Sequence, residues 1–225
     1  MRSETLTETI YERMRGDLLT GVFAPGMPMR LEDVRQRYNV STSPLREAMF
    51  RLTAEGFLLL SSQRGFRVAP LSHEDLLDLT ERRAEIEARA LLLSIANGDE
   101  EWESEVVKRH HRFGLISKQL QAGKQTFGTE WEERHRALHL SLIEACGSPW
   151  LQRFCAGLYD HFDRYRHLAR LRPAQLVTED EDAIVAAALR RDHATAVEIL
   201  VTHIQRTSRA VGEALFGNDT DDAAA

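Results

Sequence analysis

Cysteine is scarce in this chain of 225 residues: Cys146 and Cys155 are all there is. They form neither a disulfide framework nor a CxxC pair, which favours a reducing cytoplasm. No apolar run approaches the ~18 residues that a membrane helix needs. The opening stretch, "MRSETLTETIYERM", is polar and acidic and does not read as a secretory signal. No membrane partner is expected. Catalytic signatures are missing as well. No Ser-His-Asp or Cys-His order carries a recognisable nucleophile motif, and no glycine-rich phosphate loop occurs. His135 and His139 stand four apart in "HRALH", but Arg136 occupies the place where a zincin has its water-activating glutamate. The expectation is therefore a protein without enzymatic activity.

What is present divides unevenly. The net charge is −6 overall, which argues against nucleic acid. Residues 1–70, however, hold 10 Arg and no Lys against 8 acidic residues, a balance of +2. The remainder holds 19 basic against 27 acidic residues, a balance of −8. Opposite signs suggest separate jobs and a boundary near residue 70. The length is sufficient for two modest domains with real cores.

In the first part, Leu6, Ile10, Met14 and Leu18 recur at four-residue steps and predict a helix that Gly21 stops. "FAPGMPM" is a turn-rich break. "RLEDVRQRY" reads as a short helix with Leu31 and Val34 inward, and Asn39 suits a left-handed C-terminal position. A third helix follows in "VSTSPLREAMFRLTAEGF", capped by Ser41 or Ser43, with Leu45, Ala48, Met49 and Leu52 inward. "LLL", "SSQRG" and "FRVAP" read as two strands around a turn. Three helices and a β-hairpin in this order make a winged helix-turn-helix, whose third helix fits the major groove of DNA. Arg46 falls on its exposed side. Ser41, Thr42 and Ser43 stand at its N-terminus, which favours a phosphate. Arg35 is the further DNA-binding candidate on the preceding helix, and Arg64 and Arg67 flank the hairpin tip. A small helical domain with a solvated arginine face would satisfy the same pattern.

The stretch from "GVFAPGMPMRL" to "GFRVAP" resembles the winged-helix domain of GntR-family transcriptional regulators. The matching features are the "G...PG...L" lead-in, "VS..P.REA..RL...G", and a wing ending "G..V". The resemblance implies a homodimer on palindromic double-stranded operator DNA. Arg46 matches the second recognition arginine of that family. The first has become Thr42, so the preferred operator is expected to differ from the common one.

The second part reads as helices throughout: 73–96, 99–121, 130–145, 149–170, 179–191 and 193–214. Thr129 with Glu132 has capping-box spacing, and so do Ser72 with Asp75 and Thr178 with Glu181. The fold class expected is mainly α: a winged helix-turn-helix over 1–70, a linker over 71–77, an all-helical bundle over 78–214, and a disordered tail over 215–225. "RRAEIEARAL", "HRALHLSLIEACGSPWL" and "EDAIVAAALRRDHATAVEILVTHI" resemble the ligand-binding (FCD) domain of the FadR-type branch of GntR regulators. Within that branch, "CGSPWL" with "YDHFDRYR" looks most like regulators of glutarate and γ-aminobutyrate use.

Many members of that branch hold a divalent metal. The resemblance carries its ligand positions to His135, His139, Glu181 and His203, with an aspartate replaced at the first and a histidine at the third. Three imidazoles and a carboxylate suit Zn²⁺, or Ni²⁺ or Mn²⁺. His135 and His139 share a helix face. Two histidines at this spacing are, taken alone, more often solvated or hydrogen-bonded than metal-bound; Glu181 competes as a helix cap, and His203 as a core histidine. His73, His110, His111, His161, His167 and His193 read as surface or packing residues. A small carboxylate effector such as glutarate would be clamped by arginine forks. Arg83 matches the arginine of the branch's "R..IE", and Arg134, Arg164 and Arg166 are further candidates. The function expected is a ligand-responsive repressor of a catabolic operon. Competing readings are an acyl-CoA sensor and a metal-dependent enzyme.

Overall fold

The computed structural model of the protein describes residues 6–61, 65–122, 128–169 and 179–217. The chain divides into two compact units. One comprises Met1–Asp75 together with Asp163–Leu168, and the other Leu76–Phe162 with Ala169–Ala225.

In the first unit, α1 (Leu6–Leu19) buries Ile10, Tyr11, Met14 and Leu18, the stripe its spacing predicts. Gly21 follows with φ +74°, a left-handed conformation that glycine adopts without steric cost. β1 (Pro28–Met29) lies in the stretch read as a plain break. α2 (Leu31–Tyr38) buries Val34 and ends on Asn39 at φ 51°, ψ 54°. α3 (Thr42–Ala54) puts Leu45, Ala48, Met49 and Leu52 inward. β2 (Leu58–Ser61) and β3 (Gly65–Val68) form the hairpin, and β1 adds to its other edge, giving an antiparallel sheet in the order β1-β3-β2. The register pairs Met29 with Phe66 and Leu58 with Val68. β1 escaped the sequence reading because two residues are too few to show an alternation.

α1 and α3 are tied at their rims by Arg51 Nη1 to Glu8 Oε2 at 2.9 Å and by the Tyr11 hydroxyl to Glu55 at 2.8 Å. Burial and Glu55 push the Tyr11 phenol up to about 12, so it stays a donor. Residues 163–168, part of a helix, add Arg164, whose guanidinium donates to the Ala69 carbonyl, and Tyr165, whose hydroxyl donates to Asp75 Oδ2 at 2.5 Å.

The second unit is helical throughout its described residues. α4 (His73–Asn97) starts inside the stretch expected as a linker, with the Ser72 hydroxyl accepting from the Asp75 amide at 3.1 Å. α5 (Glu100–Gln121) is capped by Asp99, which accepts from the Trp102 amide. α6 (Thr129–Ile143) runs into a 3₁₀ turn (Glu144–Cys146). α7 (Pro149–Ala169), α8 (Glu179–Leu189) and α9 (His193–Phe216) follow, the last capped by Asp192. The core gathers Trp102, Phe113, Trp131, Leu138, Leu142, Ile184, Leu200 and Ile204. No described helix is long and apolar enough to cross a membrane.

The capping box expected from Thr129 and Glu132 does not form. Gly128 is the N-cap, Thr129 is already helical, and Glu132 is buried. That from Thr178 lies outside the described residues.

Candidate metal centre and DNA-facing helix

α6 buries Trp131, His135, Leu138, His139 and Leu142 on one side. The 3.6-residue period therefore carries both histidines into the bundle together with the core leucines. Glu181 arrives from the first turn of α8 and His203 from the middle of α9; all four side chains are buried. His135 Nε2 lies 3.0 Å from Glu181 Oε1, and His203 Nε2 lies 3.7 Å from the same oxygen. One donor atom from each of His135, His139, Glu181 and His203 falls within 4.8 Å of the others. The four candidates named from the sequence are thus brought together across three helices.

The donor set fits a metal. Ligand atoms about 2.0–2.2 Å from one ion stand at most roughly 4.4 Å apart, so small side-chain adjustments would close the shell. Imidazole and carboxylate are the ligand types that borderline divalent ions take. The walls are aromatic. Trp131 stacks on His135 with ring centres 4.7 Å apart, and Tyr159 sits 5.5 Å from the His139 ring. Two residues that the sequence reading missed hold the histidines: the Tyr159 hydroxyl meets His135 Nδ1, and Asp180 Oδ2 lies 3.1 Å from His203 Nδ1. Nothing in the spacing signals Tyr159, which is 24 positions from its histidine. Asp180 was masked by its neighbour Glu181.

The arginines expected to hold an effector are engaged internally. Arg83 is buried, with Nε 2.7 Å from Glu87 Oε1 and its guanidinium over the rings of Tyr159 and Phe162. Arg134 donates to Glu130 and to the Arg112 carbonyl at 2.6 and 2.8 Å. Arg164 and Arg166 group with the first unit rather than with the metal-ligand cluster. Arg166 pairs with Asp163 at 2.5 Å, and burial lowers the pKa of Arg164. The pairs of Arg83, Arg134 and Arg166 fall at three- or four-residue helical spacing, which the sequence shows, whereas the burial of Arg83, Arg164 and Arg166 is set by tertiary neighbours.

In the first unit, Ser41, Thr42, Ser43 and Arg46 are all exposed. Ser41 is the N-cap residue of α3, in extended conformation, and its hydroxyl makes no capping bond, so the cap expected there is not made. Arg46 lies over the Phe50 ring at 5.7 Å. Arg35 forks onto Glu32 at 2.7 and 3.0 Å, which holds that carboxyl at about 2. Arg67 donates to the Gly26 carbonyl at 2.5 Å. Arg64 lies outside the described residues.

A model described as "Bacterial regulatory proteins, gntR family" matches residues 6–68, and one described as "FCD domain" matches residues 75–206. The chain belongs to the GntR family and has its FCD architecture. It is 38% identical to the HTH-type transcriptional regulator BphR of Paraburkholderia xenovorans (strain LB400), over 92% of this chain and 85% of that one. It is 34% identical to the HTH-type transcriptional repressor GlaR of Escherichia coli (strain K12), over 92% of this chain and 96% of that one. The solved structure of E. coli McbR/YncC shares the fold, with a TM-score of 0.78 at 19% identity over 94% of this chain and 99% of that one. The GntR–FCD chain is a ligand-responsive transcriptional regulator, and its relatives are regulators rather than enzymes. Regulators of this family bind DNA, typically as dimers, and FCD domains bind small effectors and often a metal.

Proposed function

We propose that the protein is a dimeric, metal-dependent repressor of a catabolic operon, released or reinforced by a small carboxylate such as glutarate. The observation that carries this reading is the buried convergence of His135, His139, Glu181 and His203. Zn²⁺ is the ion we favour, with Ni²⁺ or Mn²⁺ as alternatives, because three imidazoles and one carboxylate match its preferences. An ion held there would supply a Lewis-acidic position for a carboxylate. The repressor naming of GlaR supports the direction of control.

The chain's own residues divide the remaining work. Thr42, Ser43 and Arg46 on the exposed face of α3 would enter the major groove. An arginine fork reads a guanine edge through two hydrogen bonds. The uncapped N-terminus at Ser41 offers backbone N–H groups to a phosphate. Arg35 and Arg67 would add phosphate contacts once they exchange Glu32 and the Gly26 carbonyl. Two such heads would bind half-sites about one helical turn apart. In the bundle, Arg83 and Arg134 would meet a carboxylate only by exchanging Glu87 or Glu130, so the effector must outcompete these internal partners. Control of DNA binding requires that the effector favour one of two states by its differential affinity.

The test is metal analysis of the purified protein, followed by gel-shift titration of operator DNA with and without chelator and dicarboxylates. The expected result is one bound divalent ion per chain and an effector response that chelation abolishes. A protein with no bound or bindable metal, whose response to acids survives chelation, overturns the reading.

A further inference from the structure

A histidine binds a metal only through a nitrogen that carries a lone pair, so each imidazole must present the correct edge. His203 has two distinct surroundings. Its Nδ1 lies 3.1 Å from Asp180 Oδ2, and its Nε2 lies 3.7 Å from Glu181 Oε1. A carboxylate accepts, so the ring hydrogen belongs on Nδ1 and the lone pair of Nε2 turns toward the cluster. Asp180 is held in its turn by Arg206, whose guanidinium contacts the same oxygen, Oδ2. Arg206 stands three positions after His203 on α9, one turn along the same face.

Asp180 and Glu181 are adjacent in the first turn of α8, and the fold gives them different tasks. Consecutive helical residues point about 100° apart. Glu181 enters the cluster and is 3% exposed, whereas Asp180 stays at its edge, 18% exposed, and reaches the outer nitrogen of His203. His135 is arranged the same way with a different partner: the Tyr159 hydroxyl meets its Nδ1, and its Nε2 faces Glu181.

We infer that Asp180, braced by Arg206, is a positioning residue that fixes His203 as the Nδ1–H tautomer with Nε2 presented for metal binding. This rests on the reading of the four-residue cluster as a metal centre, and the test separates the two. In the metal-free full-length protein, ¹⁵N spectra of the imidazoles are expected to show His203 as Nδ1–H, and Asp180→Ala to convert it to a mixture or to Nε2–H. A wild-type His203 protonated on Nε2, or a tautomer that Asp180→Ala leaves unchanged, overturns the inference. Competition titration with Co²⁺ and Zn²⁺ then gives the consequence. Asp180→Ala is expected to weaken binding about 10–100-fold. Asp180→Asn, which keeps an oxygen acceptor, should lose less, and Arg206→Met should fall between Asp180→Ala and wild type. Affinity equal to wild type in Asp180→Ala also overturns the inference. If Asp180→Ala does not fold, Asp180→Asn and Arg206→Met decide by the same two readouts. A wild-type protein that takes up neither ion defeats the metal reading, and the tautomer spectra still decide what Asp180 does.

Discussion

The winged part and the bundle handle charge in opposite ways. Among the described residues between 6 and 75, every buried side chain is apolar or a tyrosine, from Ile10 to Val68. In the bundle, Arg83, Glu87, Glu132, His135, His139, Glu181 and His203 are all buried. Burying an ionisable group is costly unless a partner replaces the lost water. The described arginines between 6 and 75 are accordingly left unburied, and the buried charges of the first unit, Asp163, Arg164 and Arg166, come from α7. The bundle spends stability to hold a polar cluster in its interior, as a selective small-ligand or metal site requires.

The change expected to break this contrast most forcefully is Arg83→Ala. It leaves Glu87 buried without its 2.7 Å partner, and loss of one member of a buried pair costs about 3–5 kcal/mol. Urea unfolding of the bundle should show it; a cost under ~1 kcal/mol would mean that the buried pair is well solvated. Replacing both, as Arg83→Met with Glu87→Leu, should recover most of the loss.

Arg46→Ala tests the head from the other side. The side chain is exposed, so unfolding should move by no more than ~0.5 kcal/mol. Specific operator affinity should fall by about 1–3 kcal/mol, as for loss of a bidentate base contact. Unchanged gel-shift affinity would remove α3 from the interface. Next in size is Gly21→Ala in the first unit. At φ +74° a Cβ is strained and would stand 2.5 Å from Leu168 Cδ2. Roughly 1–2 kcal/mol of lost stability is expected from the left-handed conformation, read as a lower melting temperature.

The smallest effect is a pH dependence. Burial, with help from Arg166, lowers the His167 pKa below its ordinary 6.5, against an opposing pull from Asp163. The unfolded chain then takes up a proton that the folded chain refuses. The contribution of His167 is complete above about pH 6.5 and declines as the pH falls toward the native value. Wild type should lose more melting temperature than His167→Asn between pH 7.5 and 5.5; parallel curves would show that His167 titrates normally.

Most of the helices were legible because their apolar positions repeat at the helical period, as Ile10, Met14 and Leu18 do in α1. The four metal-ligand candidates were legible only through the resemblance to the FCD branch. Two of them, His135 and His139, share a helix face visible in the sequence, while Glu181 and His203 lie 46 and 68 positions beyond His135. The caps expected at Thr129 and at Ser41 or Ser43 differ from the structure in two ways: α6 starts one residue early on Gly128, and Ser41 takes the N-cap position of α3 without its hydroxyl making the capping bond. The engagement of Arg83 with Glu87, four residues on, was open to a pairing argument, since that spacing favours an ion pair. Its burial between two aromatic rings was not.

By itself the sequence determined the helices and the β2–β3 hairpin, the change of charge near residue 70 and the arginine-bearing face of α3, because periodicity and local charge are properties of neighbours along the chain. Tertiary structure alone decided that Tyr159 and Asp180 hold the histidines and that Arg83, Arg164 and Arg166 are buried. Hydrogen bonds and burial depend on which distant segments meet in space.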